Sequence, residues 1–355
     1  MVDRPIDVHG GDQPRGGFRL RSFYWSAAKD PKRVVHLCAV VAHFLKDFIP
    51  LWIATKLRIV QPIVAIALMD RLGDIVSVEP VARHAKANNP GAKIFWFTTR
   101  PYADLTAAFS GVDKVFVVHC LTEWMLLKAS LTFLTVIDLH FSDVYCLTCE
   151  IELRRGGATR RVTGAEHYHY GNQIRARCLC AGIEPISEGP RLQPDRAASD
   201  RVDQLLLPAS YIAIHCVASE GAREWQLEKW RALIDYITSD LCIDVIEVGT
   251  RPAAILEAEP GRRSLCGRLS IIETAEVIRR SRLFIGIDSG PAHLANAVGA
   301  RGILLLGHFR DHIRYMPFSG SYQTGEGCEI LWANGAVSEL RLEDVVAAIS
   351  RRLDL

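Results

Sequence analysis

The sequence predicts an α/β protein made of two domains, each built around a parallel sheet. At roughly 100–200 residues per domain, 355 residues favour two domains. Apolar runs of strand length alternate with helical segments, and a proline-rich stretch, residues 185–208, separates two series of this alternation. Apolar residues make up 49% and charged residues 23%, so disorder as the main state is excluded.

The first series occupies residues 59–190 and the second residues 205–337. Predicted strands of the first are Pro62–Met69, Lys93–Thr98, Lys114–Val118 and Leu134–Leu139, with helices Ile75–Asn88, Pro101–Phe109 and Leu121–Ser130. Predicted strands of the second are Tyr211–His215, Ile243–Val248, Leu283–Ile287 and Gly302–Leu306, with helices Leu227–Thr238, Ile271–Arg280 and Pro291–Val298. Residues 338–355 carry a final amphipathic helix, Ser338–Leu353. The pattern is typical of two Rossmann-like domains facing a central cleft, where ligands bind beyond the carboxyl ends of the strands.

Residues 1–58 form an N-terminal extension with a disordered start. It holds ten basic and five acidic residues, a charge of +5 in a chain of net charge +2, so the body carries −3. Near-neutral charge argues against a nucleic-acid partner. An apolar stretch, Val34–Thr55, is interrupted by polar residues and is too short to span a bilayer. Helical spacing of its apolar residues predicts an amphipathic helix, at Val34, Leu37, Val41, Phe44, Leu45 and Phe48.

Two environments are open for this helix. It packs on the protein itself, or it lies on an anionic membrane surface with help from the basic side chains Arg19, Arg21, Lys29, Lys32 and Arg33. The first residues contain no apolar signal region. We therefore expect a cytoplasmic protein, with peripheral contact at the inner face of the membrane as the second option.

The ten cysteines are expected to be reduced, because a chain this long needs no disulfide staples. Six Cys and His residues fall within 35 positions and include a zinc-ligand spacing: Cys146, Cys149, His167, His169, Cys178 and Cys180. Two cysteines two positions apart on a helix point in different directions, so buried or incidental cysteines are the alternative to a metal site. The segment from His167 to Tyr170 is also a candidate cleft loop that touches an acceptor.

The clearest local signal is the segment LFIGIDSGPAHLANAVGARGILLLG, residues 283–307. A buried strand ends at Asp288, and Ser289 and Gly290 form a tight turn before a helix that carries His293. Small residues leave the backbone N–H groups of this helix start open to a ligand, and the helix dipole attracts phosphate there. The alternative is an ordinary strand–turn–helix in which Asp288 is a local cap.

A second signal is MDRLGDIVSVEP, residues 69–80. Gly73 permits a tight turn, and Asp74 lies near the start of a helix at the carboxyl end of the first strand. A carboxylate at this place acts either as an N-cap or as a general base aimed into the cleft.

Together, LGD at residues 72–74 and IDSGPAHLA at residues 287–295 resemble glycosyltransferase family 9, which contains the ADP-heptose:lipopolysaccharide heptosyltransferases. Further segments resemble the family in the correct order: VIDLH at 136–140, AREW at 222–225 and LCGRLSIIETAEVIRRSRLFIG at 265–286. The resemblance implies a GT-B fold, with the acceptor on the domain at residues 59–190 and a nucleotide-sugar donor on the domain at residues 205–337.

The resemblance also implies an inverting, metal-independent sugar transfer with no cofactor. Asp74 is then the catalytic base, and Arg223, Asp288, Ser289, Gly290 and His293 hold the donor, whose sugar the family suggests is heptose carried on ADP. Glu247 or Glu257 is a candidate for binding the ribose.

The acceptor stays open among a glycan, a lipid-linked glycan such as lipopolysaccharide, a small molecule and a protein. No dense Lys/Arg cluster lies between Leu57 and Leu139 to grip a phosphorylated lipid. Two other functions fit the same architecture: a nucleotide-sugar epimerase or hydrolase, and a non-catalytic nucleotide-binding scaffold docked to a membrane or partner.

Overall fold

The computed structural model describes residues 31–57, 59–130, 133–146, 148–149, 151–154, 162–256, 259–308 and 315–354. Its strands are β1 Ile63–Ala67, β2 Lys93–Thr98, β3 Lys114–Val117, β4 Thr135–Asp138, β5 Asp143–Cys146, β6 Ile151–Arg154, β7 Tyr211–His215, β8 Asp244–Glu247, β9 Arg262–Ser264, β10 Leu283–Ile287, β11 Gly302–Gly307 and β12 Cys328–Ala333. Its α-helices are α1 Pro31–His43, α2 Ile49–Lys56, α3 Leu72–Ser77, α4 Glu79–Asn88, α5 Ala103–Ala107, α6 Leu121–Ser130, α7 Gln173–Ala181, α8 Arg196–Asp203, α9 Leu227–Asp235, α10 Ile271–Arg280, α11 Gly290–Ala297, α12 Ser321–Thr324 and α13 Leu342–Leu353.

Two parallel sheets dominate the structure, as predicted. The first has strand order β3-β2-β1-β4, and Val64 of β1 lies opposite Ile94 of β2 and Thr135 of β4. The second has strand order β12-β11-β10-β7-β8-β9. Every residue of β1, β7, β10 and β11 is buried. Continuous apolar strands of this kind are covered by helices on both faces, which places the two cores around the sheet centres.

Several helices begin or end elsewhere than predicted. The expected helix Ile75–Asn88 is two helices, α3 and α4, because Pro80 stands in the first turn of the second one. The proline-rich stretch 185–208 contains α8, whose first turn is capped by Asp195 through a 2.8 Å bond from the backbone N–H of Ala198. This helix is bonded to α10 by Ser199, which donates to Glu276 at 3.0 Å.

The N-terminal extension packs on the first sheet through part of its apolar surface. Helices α1 and α2 are joined by a π-helical turn, Phe44–Phe48. Val40 and Phe48 are buried against Phe97 and Trp124, so packing on the protein is confirmed for this side.

The other side of the extension is also apolar and is exposed. This differs from the predicted amphipathic helix, which would have a single apolar stripe. We call this exposed side the outer apolar face, and it consists of Val35, Val41, Leu45, Trp52 and Ile53, which are 70%, 46%, 54%, 40% and 43% exposed. Within the described residues, a single helix that could cross a membrane is absent. The bent pair Val34–Lys46 and Ile49–Lys56, 49° apart, meets the length and composition of a span.

The two halves touch where α3 packs on α11. A Cβ atom at Gly290 would lie 2.7 Å from Cδ2 of Leu72 and 3.0 Å from its Cβ. A Cβ atom at Gly73 would lie 2.7 Å from Cδ2 of His293. The two sequence signals are therefore in direct contact, and each glycine makes room for a side chain of the opposite half.

We expect Gly290→Ala to lower the free energy of unfolding by about 1–3 kcal/mol, because the new methyl group meets the fixed Cβ of Leu72. The matched control is Gly91→Ala, whose added Cβ meets nothing within 4 Å. Urea denaturation followed by tryptophan fluorescence measures both variants. Equal midpoints for the two would contradict the tight contact between the halves.

Candidate active site

The site lies where the carboxyl ends of β1 and β10 face each other. The loop after β1 carries Asp70 and leads into α3 with Asp74, and the turn after β10 carries Asp288 and leads into α11 with His293. Because the strands in each sheet are parallel, their carboxyl ends open on one edge, where α/β proteins bind ligands. The structure thus brings the two predicted motifs to a single place.

Asp74 is held by two side chains of α7. Its Oδ1 atom accepts a 2.8 Å bond from Nη2 of Arg177 and a further bond from Nε2 of Gln173. Among the described residues, both hydrogen bonds to this carboxylate end on Oδ1, so Oδ2 remains available to a ligand. Asp74 lies in the first turn of α3 but caps no N–H group there, since the N-cap residue is Arg71. The structure therefore contradicts the alternative in which Asp74 is an N-cap of α3.

Arg177 is the buried centre of this charge cluster. It is 1% exposed, bonds Asp70 at 2.7 Å and the backbone oxygen of Leu139 at 2.9 Å, and lies 4.3 Å over the ring of Phe141. A guanidinium in a dry environment requires such partners to stay charged. Burial alone would lower the pKa of Arg177, but the charges of Asp74 and Asp70 raise it, so the side chain is a permanent cation.

The two carboxylates on Arg177 respond in opposite ways. Burial raises the pKa of Asp74 above its ordinary value, and the opposing attraction of Arg177 does not cancel this effect. Burial also acts on Asp70, but Arg177 and the 2.9 Å bond from the Arg71 backbone N–H outweigh it, so the pKa of Asp70 is lowered. Asp74 is therefore the more basic carboxylate of the two, which suits a proton acceptor.

The start of α11 carries unpartnered polar groups. The Ser289 hydroxyl is buried and makes no hydrogen bond within the part of the chain that is described, and neither does Nδ1 of His293. Burial lowers the pKa of His293 to about 4, against the pull of Asp288 3.9 Å away, so the imidazole is neutral at pH 7. The ring rests on Phe318, with centroids 4.6 Å apart. These groups suit an anion at the helix start, with His293 as a neutral donor rather than a positive charge.

Arg223 supplies positive charge on this side of the cleft. Its Nη1 atom lies 3.1 Å from Oδ2 of Asp288, and its side chain is mostly buried. Beside it is a cavity, lined by Arg223, Asp288, Leu305, Leu306, Gly307, Tyr315, Pro317, Trp332 and Val337. The cavity opens at the carboxyl ends of β10 and β11 and joins apolar walls to a few polar groups, as ligand pockets do.

Three contributors to the site were missed by the sequence reasoning. Arg177 and Gln173 come from α7, and Tyr315 donates a 2.6 Å hydrogen bond to Oε1 of Gln173. Arg177 and Gln173 both lie in the helix-like segment NQIRARCLCAGI, but nothing in that segment distinguishes them from their neighbours. The roles of all three residues depend on contacts with residues more than 90 positions away.

The structure also bears on two other predictions, the ribose-binding glutamate and the loop that touches the acceptor. Glu247 is 1% exposed and accepts backbone N–H bonds from Ala253, Ala254 and Ile255 at 2.8, 3.0 and 3.0 Å, so it fixes a loop and does not face a ribose. The alternative, Glu257, lies outside the described residues. In the loop expected to touch the acceptor, Tyr168 borders the cleft, with its ring 5.0 Å from that of Tyr315.

The six Cys and His residues with zinc-ligand spacing do not converge on one point. Cys178 is buried in the core, Cys180 bonds the backbone oxygen of His140, and His167 bonds that of Gly164. Cys149 instead lies beside Cys120, 3.7 Å away between sulfurs. No group of metal-ligating side chains includes an active-site residue among the described parts of the chain.

Comparison with known proteins agrees with this geometry. Residues 185–325 match the model of glycosyltransferase family 9 (heptosyltransferase). A lipopolysaccharide heptosyltransferase 3 of Escherichia coli is 32% identical over 127 residues, which cover 32% of this chain and 35% of the relative. The match thus spans about a third of that relative's length.

Solved structures align over more of the chain. A family 9 glycosyl transferase from Veillonella parvula gives a TM-score of 0.62 at 15% identity, covering 82% of this chain and 97% of the other. The E. coli ADP-heptose lipopolysaccharide heptosyltransferase II gives 0.61 at 14% identity, covering 82% and 98%. At such identities the likeness shows the fold, and the predicted GT-B arrangement of two facing Rossmann-like halves is confirmed. The predicted resemblance to glycosyltransferase family 9 is confirmed as well, since residues 185–325 match the model of that family.

Proposed function

We propose that this protein is an inverting glycosyltransferase that moves a sugar from a nucleoside-diphosphate donor to an acceptor hydroxyl, with no metal ion at the reacting centre. The observation that carries the proposal is the contact of α3 with α11, which brings the helix that carries Asp74 against the start of α11, where we propose that an anion binds. A base and a phosphate site on facing domains are what a single displacement at a sugar carbon requires.

Asp74 is the proposed general base. The acceptor oxygen bonds to the anomeric carbon while its proton passes to Oδ2 of Asp74. The bond from that carbon to the diphosphate oxygen breaks, and its electron pair leaves with the nucleoside diphosphate. Arg177 and Gln173 hold Oδ1, which fixes the carboxylate in place, and its raised pKa increases its affinity for the proton.

The leaving diphosphate is proposed to lie on the start of α11. Backbone N–H groups after Ser289, the Ser289 hydroxyl and the neutral His293 ring offer hydrogen bonds, while Arg223 offers charge. The cavity that reaches from Arg223 to Trp332 would take the nucleoside. ADP-heptose is the proposed donor, because the aligned E. coli structure is named for it.

The proposed acceptor is a lipid-linked glycan of the lipopolysaccharide type, on the evidence of the curated relative's name. The outer apolar face supports this choice, since it presents exposed side chains beside the exposed Lys46 and Lys56. Apolar side chains flanked by cations favour the surface of an anionic bilayer. We therefore propose a cytoplasmic protein that attaches peripherally to the inner face of the membrane.

Asp74→Asn is expected to reduce kcat about 10²–10⁴-fold, because the amide cannot accept the proton. Affinity for ADP should stay within a few-fold. Stability should not fall at pH 7: the pKa of Asp74 is raised on folding, so its charge costs stability once the pH rises through that pKa. The substitution removes this cost, and its benefit should shrink in acid, where the wild-type carboxyl is protonated.

The measurements are ADP release from ADP-heptose with a lipopolysaccharide core acceptor, ADP titration calorimetry, and urea unfolding at about pH 7 and pH 4. The control is Asp344→Asn, which makes the same substitution at an exposed carboxylate in the first turn of α13. Retained turnover in Asp74→Asn would remove it as the base. ADP release that needs no acceptor would instead indicate a hydrolase or epimerase.

Among ADP, GDP, UDP, CDP and dTDP, we expect ADP to give the largest rise in melting temperature, because a ligand bound only by the native state stabilises it. Arg223→Ala should weaken ADP binding about tenfold or more through loss of a charged hydrogen bond. Arg341→Ala, an exposed arginine on the start of α13, should leave it unchanged. Equal affinity in both variants would place the diphosphate elsewhere.

Liposome co-sedimentation tests the membrane contact. Leu45→Gln with Ile53→Gln on the outer apolar face should reduce pelleting with phosphatidylglycerol vesicles, while Leu206→Gln, at an apolar residue 86% exposed in the other half, should not. Point variants are preferable to truncation at residue 58, because Val40 and Phe48 belong to the core. Identical pelleting of the two variants would contradict membrane contact through this face.

A further inference from the structure

Three cysteines and a histidine converge on the first half of the chain, on elements that carry none of the proposed catalytic or donor residues. Cys120 lies between β3 and α6, Cys146 ends β5, and Cys149 follows in the β5–β6 connection. All three are buried, at 4%, 2% and 6% exposure. His36 reaches them from α1, so the four side chains come from three separate stretches of sequence.

The distances among these groups match a shared metal ion. Sγ of Cys120 lies 3.7 Å from Sγ of Cys149 and 3.3 Å from Nε2 of His36. These three ligand atoms all lie within 4.8 Å of one another. Cys146 is buried in the same cluster and precedes Cys149 in the Cys-x2-Cys spacing of zinc sites. Two sulfurs bound to one tetrahedral zinc ion at about 2.3 Å stand about 3.8 Å apart, close to the observed spacing.

The local backbone suits thiolate ligands. Cys120 directly precedes α6, and its backbone oxygen accepts the N–H of Trp124, so its sulfur lies at the positive end of a helix. The unpaired backbone N–H groups at such a helix start stabilise metal-bound sulfur and orient it.

A neighbouring group is less suited to a metal. His43, His119 and Glu123 also approach one another, but the carboxylate of Glu123 already accepts bonds from both rings, at 2.5 and 3.1 Å, and from the His119 backbone N–H. The cysteine cluster, in contrast, consists of soft donors whose mutual contacts are weak sulfur hydrogen bonds.

We propose that Cys120, Cys149 and His36, with Cys146 as the fourth ligand, bind one Zn²⁺ ion that fastens α1 to the first domain. Three sulfurs and one imidazole are a closed structural set that selects zinc through its tetrahedral geometry. Because one ligand comes from the N-terminal extension, metal binding would couple the position of that extension to the fold of the sheet.

The full chain, purified in reducing buffer, reconstituted with ZnCl₂ and desalted, should hold about one zinc per chain by plasma mass spectrometry. The Cys120→Ser/Cys149→Ser double variant should hold less than about a tenth of that. Cys328→Ala, at a buried cysteine of the second half, is the matched control and should keep the full amount.

The visible spectrum of the cobalt-loaded protein provides a second readout. Wild-type protein loaded with Co²⁺ should show thiolate-to-metal charge-transfer bands and the strong visible bands of a tetrahedral site, and His36→Ala should shift them by removing the nitrogen ligand. Chelation should lower the melting temperature of wild type and of Cys328→Ala, but not of the double variant.

Three results would overturn the proposal. The first is wild-type protein without zinc after reconstitution, and the second is equal zinc in the double variant and in Cys328→Ala. The third is a thiol titration of the denatured, unreduced chain that finds two thiols fewer than its ten cysteines, which would mean that Cys120 and Cys149 form a disulfide.

Discussion

The contact between two glycines and the side chains opposite them is the constraint on which the cleft depends. A Cβ at Gly290 would lie only 2.7 Å from Leu72, and a Cβ at Gly73 only 2.7 Å from the ring of His293. Only residues without a side chain allow α3 and α11 to approach this closely. The approach brings Asp74 and the start of α11 to facing sides of one cleft, and neither half presents both groups by itself.

Buried charge limits how such a site can be built. Asp70 and Asp74 share one fully buried arginine. Burial raises the pKa of Asp74 despite Arg177, whereas for Asp70 the effect of burial is outweighed by Arg177 and the Arg71 backbone N–H, so its pKa is lowered. Removing a carboxylate from water without a partner is costly, so a base in a dry cleft needs a nearby cation. In the proposed mechanism the same cation must not hold Asp74 too tightly, and the charge of Asp70, which raises the pKa of Asp74, favours this.

The strands were predictable where burial on both faces produces an unbroken apolar run. Lys93–Thr98, Tyr211–His215 and Leu283–Ile287 have the same bounds in the sequence reading and in the structure. The edge strand β12, only partly buried, carries a weaker signal and was missed. Asp74 and His293 were found because they follow such strands. The sequence did not point to Arg177 or to the pairing of Cys120 with Cys149, since long-range contacts leave no periodic pattern in the sequence.

The proposed donor site offers a diphosphate little net positive charge. His293 is neutral, and Arg223 is already 3.1 Å from Asp288, so a diphosphate bound there would share that arginine with a carboxylate. This sharing keeps the guanidinium ordered before the ligand arrives, which reduces the entropy lost on binding. It also weakens the binding of the nucleoside diphosphate product, because Asp288 competes with the diphosphate for the guanidinium of Arg223. A transferase that must release its nucleoside diphosphate in every cycle gains from both effects.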